Sequence, residues 1–397
     1  MSRRVIIAGI AVVMLSLALA TTTAQVATQS GAEAWTAAID TYLGTQTAVD
    51  AAPLFRVSPD DLRRQARQAR DAWKEAARAA GKDVRADQRR RALRRLQAAA
   101  LAPFELLLPL SGLHVASPQW EALEDVALAS WEALPEFERL HLDALGDDRA
   151  ARRAEQARLA SFRLWWRVAY LQYLLNLSRL GDFRTQLTLF EVDESDPRLR
   201  AEYTFLRGLG EETTARLSDH PSGPVRGAGA VLDGRAPAVT LMLRSARTWY
   251  RRTLTADPTH AEAQLRLGRV LLEHREIDEA LRVLTPLASD RCSAVACGLA
   301  WLFIGEAREA GSTPAQAAAA YSRAAALLGT RQSALLALMN LAVRRGDVTA
   351  AYNLTAQLSV SSPLSSVEAA DAWSVYVGGR RLDGEAVLAP LRGAAIQ

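Results

Sequence analysis

Four alanines recur in phase through the second half of the chain, and this recurrence constrains the fold more than any other feature. Each heads a short core: Ala246-x3-Tyr250-x2-Thr253, Ala280-x3-Leu284-x2-Leu287, Ala317-x3-Tyr321-x2-Ala324 and Ala351-x3-Thr355-x2-Leu358. The intervals are 34, 37 and 34 residues. A second helical pattern precedes each later core, carried by Leu267-Gly268, Trp301-x2-Ile304-Gly305 and Leu335-x2-Leu338. Two helical segments within a period in the thirties predict an all-α chain, an α-solenoid of antiparallel helix pairs. One pair cannot bury its apolar face alone, so the pairs stack and share a core. Gly268 and Gly305 lack a side chain, and Ala280, Ala317 and Ala351 carry only a methyl, so neighbouring backbones can approach there. Tyr250, Trp301 and Tyr321 are expected to fill the spaces between hairpins.

These residues resemble the tetratricopeptide repeat family, whose signature runs aromatic, Leu-Gly, small Ala, aromatic, Ala and then Pro; here Asp257-Pro258 marks one handover. The resemblance covers 246–358. It implies a tetratricopeptide-like superhelix and a non-catalytic scaffold that binds a peptide or protein partner on a concave face. That face would be lined by the first helices of the units. In this sequence they offer Arg266, Arg269 and Glu273, then Glu306, then Asn340 and Arg344. Arg266 and Arg269 are the candidates to grip a partner's carboxylate through charge-assisted hydrogen bonds.

The first half reads as a divergent continuation. Gly181-Asp182-Phe183 leads into Leu187–Phe190 as Gly346 leads into the last core, and Leu206-x-Gly208 echoes Leu-Gly. Phe162, Trp165, Trp166, Tyr170 and Tyr173 fall at helical spacing, which places them in the core rather than on a carbohydrate-stacking surface. Pro103 and Pro109 are expected to confine a short buried helix, and Pro135 to interrupt another. Between Leu62 and Arg95 there are 13 basic residues against four acidic. Aromatics barely interleave them, so a solvated face is favoured over a polyanion site.

At the start, Arg3 and Arg4 precede an uncharged apolar run from Val5 to Ala20, followed by Thr22 and Ala24 at the small positions of a cleavage site. This is the pattern of a secretory leader removed before Gln25, and it predicts a periplasmic or extracellular protein. The apolar run is short for a membrane span. Without Arg3 and Arg4 the chain carries 46 basic and 44 acidic residues, a net charge of +2. So even a balance argues against a nucleic-acid partner or strong attraction to a membrane surface. The organisation expected is a leader at 1–24, a polar segment at 25–57, divergent helical hairpins at 58–218, a Gly/Pro-rich insertion at 219–236, repeats at 237–361 and capping helices at 362–397.

Chemistry is sparsely advertised. The five histidines are scattered, neither H-E-x-x-H nor G-x-S-x-G occurs, and no catalytic, cofactor or metal site is expected. Glu211–Glu212 and Asp147–Asp148 are expected at helix ends, where they would offset the helix dipole. Cys292 and Cys297 are the only cysteines, flanking the turn that holds the three-residue excess of the 37-residue interval. With a turn between them a bridge is feasible, and a structural disulfide that clips the two hairpins together is expected. The rival functional class is a cell-envelope polymer-binding or -modifying enzyme that uses the helical array as its scaffold.

Overall fold

The computed structural model describes residues 86–111, 118–190, 196–219, 237–289, 294–328 and 332–360, together with Tyr376 and scattered positions from Ser58 to Arg85. The leader, the segment to Val57, residues 220–236 of the insertion, Cys292 and the C-terminal stretch other than Tyr376 lie outside them. Among the described residues the regular structure is all helical. The helices are α1 (Ala86–Ser111), α2 (Pro118–Ala144), α3 (Arg149–Asn176), α4 (Leu180–Thr188), α5 (Pro197–Asp219) and α6 (Pro237–Ala256). They continue as α7 (Ala261–Glu273), α8 (Ile277–Leu287), α9 (Ala294–Ala310), α10 (Pro314–Leu327), α11 (Gln332–Arg344) and α12 (Val348–Val360). Among the described residues no helix is long and apolar enough to cross a membrane.

Proline opens α2, α5, α6 and α10, where its missing N–H is one the helix would leave unpaired anyway. Asp148 caps α3, its Oδ1 accepting from the N–H groups of Ala150 and Ala151 at 3.0 Å each. His260 does the same for α7, its Nδ1 accepting from Ala263 N at 3.1 Å. The sequence expectation fails at the internal prolines. Pro103 and Pro109 lie inside α1 and Pro135 lies inside α2, and neither helix is interrupted. Pro135 is exposed, so water can take the carbonyl that its ring releases.

The chain divides into two compact units. The first holds the described residues up to Pro103 and those of 118–162. Its core is built from Leu93, Leu96, Val126 and Phe137, all fully buried. Arg89 Nη1 donates to Leu140 O at 3.1 Å, and Arg158 Nη1 to Gln97 Oε1 at 3.1 Å. The second unit holds residues 104–111 and the described residues from Arg163 onward. In it Phe104 packs against the aromatic stripe of α3, with ring centroids 5.6 Å from Trp166, 5.5 Å from Tyr170 and 5.3 Å from Tyr173.

Within the second unit each helix packs on the next in sequence from α5 to α12, and α7 also touches α9. Among the described residues one backbone turn occurs four times. Ser178, Arg275, Ser312 and Gly346 each adopt the left-handed conformation, with φ of 58°, 60°, 57° and 72°. In each case that residue's N–H bonds to the carbonyl three back, and the next N–H bonds to the carbonyl five before itself, as in Arg275 to Leu272 and Glu276 to Leu271 at 2.9 Å each. This double closure ends a helix and satisfies its last carbonyls. The following helix begins two residues after the left-handed one every time. The counterpart of Gly346 in the first half is therefore Ser178, not Gly181. Gly181 is already helical, in the first turn of α4.

A second relation recurs between helices. A Cβ at Gly208 of α5 would lie 2.7 Å from the ring of Tyr250 on α6. At Gly268 of α7 it would overlap Leu284 of α8, and at Gly305 of α9 it would overlap Tyr321 of α10. In α11 and α12 the corresponding place is taken by Met339 and Thr355, whose hydroxyl lies 3.4 Å from the Met339 sulfur. Ala246, Ala280 and Ala317 are fully buried, four residues before Tyr250, Leu284 and Tyr321.

Candidate binding cleft

A cleft of about 700 Å³ opens on the second unit. All of its lining residues except Ile277 and Tyr321 come from α7, α9 and α11. Leu272, Leu302, Phe303 and Leu336 supply apolar surface, and Arg269, Glu273, Glu306, Glu309, Asn340 and Arg344 supply polar groups. Five of the six residues singled out from the sequence thus line one cavity.

Each charge in it is paired. Arg269 of α7 pairs with Glu306 of α9, and its Nε lies 3.2 Å from Glu273 Oε1. Its guanidinium also sits over the Phe303 ring, 5.4 Å from the centroid. Burial alone would lower the Arg269 guanidinium, but Glu306 and Glu273 raise it, and it stays charged. Arg344 of α11 pairs with Glu309 of α9, and the Tyr321 hydroxyl donates to Glu309 Oε2 at 2.8 Å. Burial, then Glu306, raises the Tyr321 phenol above its ordinary range, so it remains a donor. Arg344 is 62% and Glu306 43% exposed, so water reaches both pairs. Pairs of that kind exchange partners at little cost.

The sixth residue, Arg266, is elsewhere. Its side chain is 4% exposed and wholly engaged inside the protein. It donates from Nε to Glu262 Oε1 at 3.2 Å, from Nη1 to Glu212 Oε2 at 3.2 Å and from Nη2 to the Tyr376 carbonyl at 3.0 Å. The expectation that Arg266 grips a partner's carboxylate gives way to this internal role, because its guanidinium balances a buried Glu212.

Glu212 corrects a second expectation. It lies in the interior of α5 rather than at a helix end, with its side chain 1% exposed. Its oxygens accept from the Tyr250 hydroxyl at 2.6 Å, the Tyr376 hydroxyl at 2.9 Å and Arg216 Nη2 at 2.6 Å, besides Arg266. Burial pushes its carboxyl up, but the charges of Arg216 and Arg266 and the Tyr250 hydrogen bond outweigh that and hold it at about 2. Tyr250 and Tyr376 are raised, chiefly by burial and then by the Glu212 charge. The signal available in the sequence was weak: an acidic residue on the apolar side of a helix, four residues from Gly208 and Arg216.

Cys297 lies in the first turn of α9 and is disulfide-bonded; the sequence contains one other cysteine, Cys292. Among the described residues no group of three or more His, Cys, Asp or Glu is placed to hold a metal ion. No protein-family model and no curated protein matches the chain.

Proposed function

We propose that this chain is an exported, non-catalytic scaffold of the tetratricopeptide type, and that the cleft on α7, α9 and α11 holds a peptide segment of a protein partner. The observation that carries the reading is the make-up of that cleft. Arg269, Glu306 and Asn340 follow one another at 37 and 34 residues, the intervals of the alanine repeat, and meet in one cavity. Helices linked by short turns, of three residues within each proposed pair from α7 to α12, and packed side by side run antiparallel, which is how a solenoid presents alternate helices on one face. The apolar floor suits a partner's side chains. Asn340 offers an amide that both donates and accepts, as a peptide main chain requires. The volume falls within the range of small-ligand sites and accommodates a few residues of an extended segment.

The test is selection of peptides from a displayed random library on the full chain. Peptides so obtained are expected to lose at least tenfold in affinity on Arg269→Ala and on Asn340→Ala, and little on substitution at exposed Tyr352 of α12. Equal binding to all three variants would remove the cleft from consideration.

A further inference from the structure

Tyr376 is held as a ligand would be. Its ring meets Phe303 of α9 edge-on, with centroids 5.4 Å apart and planes at 79°. The Arg266 guanidinium of α7 lies over the same ring, 4.6 Å from its centroid. Its hydroxyl donates to Glu212 of α5 at 2.9 Å, and its carbonyl accepts from Arg266 at 3.0 Å. Three successive first helices of the proposed pairs therefore each contribute at least one contact to one tyrosine. Ring, hydroxyl and main chain are all read.

The residues that hold it are also bound to one another. Glu212 takes the Tyr250 hydroxyl, Arg216 and Arg266, and Arg266 takes Glu262. Arg216 is tied in turn to Glu273, at 3.1 Å. The polar wall of the pocket is thus tied together across α5, α6 and α7 by bonds that do not involve Tyr376, and a preorganised wall lowers the ordering cost of binding. It also adjoins the open cleft, because Phe303 and Glu273 belong to both. The array's cleft-lining side is filled by a tyrosine over α5, α7 and α9 and open over α7, α9 and α11.

We propose that this pocket is a tyrosine-binding subsite of the cleft, occupied by the chain's own Tyr376, and that a partner segment presenting a tyrosine takes its place. The exchange with a partner rests on the peptide-binding reading above; the subsite itself does not. Selectivity follows from Glu212. A phenylalanine forfeits the hydrogen bond to Glu212 Oε1 and leaves that buried oxygen to Arg216 alone, and a phosphorylated tyrosine brings a second negative group against it.

The experiment uses the full chain with Tyr376→Ala and the probe N-acetyl-L-tyrosinamide, followed by thermal unfolding and calorimetric titration. The variant is expected to unfold at lower temperature, and the probe to restore it saturably. N-acetyl-L-phenylalaninamide should bind roughly tenfold more weakly, and the wild-type chain, its pocket filled, should show no restoration. Failure of the probe to stabilise the variant, equal binding of the phenylalanine analogue, or equal binding to the wild type would each overturn the subsite. If the variant does not fold unaided, recovery is scored by refolding with and without the probe; recovery only with it supports the proposal, and none with it counts against. Rescue alongside a failed peptide selection leaves the subsite and removes the partner reading. A successful selection without rescue does the reverse.

Discussion

The hydroxyl of Tyr376 donates to Glu212 across 164 residues of sequence, in a site where both side chains are almost fully buried. Glu212 is the common acceptor for two tyrosines and two arginines, so its charge compensates Arg216 and Arg266 together. Glu212→Gln keeps the shape and removes the charge. Breaking a buried pair from one side leaves the other charge uncompensated, at a cost of about 3–5 kcal/mol. Chemical denaturation of the variant is expected to show a loss of that order. A loss below about 1 kcal/mol would mean that Glu262 and Glu273 suffice to balance the two arginines.

The same carboxylate sets a pH dependence. Its native value of about 2 lies below the ordinary 4.5, so the unfolded chain takes up the proton first. Its contribution is fully present above about 4.5 and is lost as pH falls from there through about 2. Glu155 in the first unit behaves alike: burial raises it, but hydrogen bonds from His141 and Arg158 bring it to about 2. Stability measured against pH should therefore fall steeply below about pH 4.5, and Glu212→Gln should flatten part of that slope. An unchanged acid slope in the variant would contradict the assignment.

Glycines test the packing. Ala at Gly305 would press a methyl into the Tyr321 ring, and overpacking of this kind costs about 1–3 kcal/mol. At Gly181, in the first turn of α4, a methyl meets nothing within 4 Å. There the helix propensity of alanine gives a neutral to stabilising change of up to about 1 kcal/mol. The two substitutions are chemically identical, so a thermal shift of the same sign for both would discount the close approach of α9 and α10.

What could be read from the sequence is what obeys the period. Gly268 and Leu284, like Gly305 and Tyr321, stand sixteen residues apart, and their contact follows from helix, turn and helix alone. Arg269, Glu306 and Asn340 were legible for the same reason, being one register position repeated. Arg266 occupies the register position of Phe303, 37 residues on, and a register position does not say whether an arginine there faces solvent or a buried acid. Its fate depends on Glu212, 54 residues before it, and on Tyr376, 110 residues after it, neither of which repeats. Pro135 shows the converse: a local rule favours a break, and the buried apolar face of α2, with Leu123, Val126, Leu134 and Phe137 on it, overrides the rule.

Cys297, in the first turn of α9, is disulfide-bonded, and Cys292 is the other cysteine of the sequence. A bridge across so few residues removes little freedom from the unfolded chain, which limits its effect to about 2 kcal/mol. Cys292→Ser with Cys297→Ser should lower the unfolding temperature modestly, and reductant should bring the wild type to the same value. Mass mapping of non-reduced peptides would identify the linkage, and free thiols at both positions would exclude it.

The repeated turn gives the last test. Arg275 holds the left-handed conformation at φ 60° in the position where Gly346 holds it at 72°. A side chain in that conformation costs roughly 1 kcal/mol, because its Cβ crowds the following carbonyl, and glycine escapes the cost. Arg275→Gly should therefore stabilise by up to about 1 kcal/mol, the gain being reduced by the greater freedom of glycine in the unfolded chain. Gly346→Ala should destabilise by about the same amount. Opposite signs at two positions 71 residues apart are what one recurring turn demands. If Arg275→Gly destabilised instead, the Arg275 side chain would have to contribute more than its backbone strain costs, and the four turns would not be equivalent.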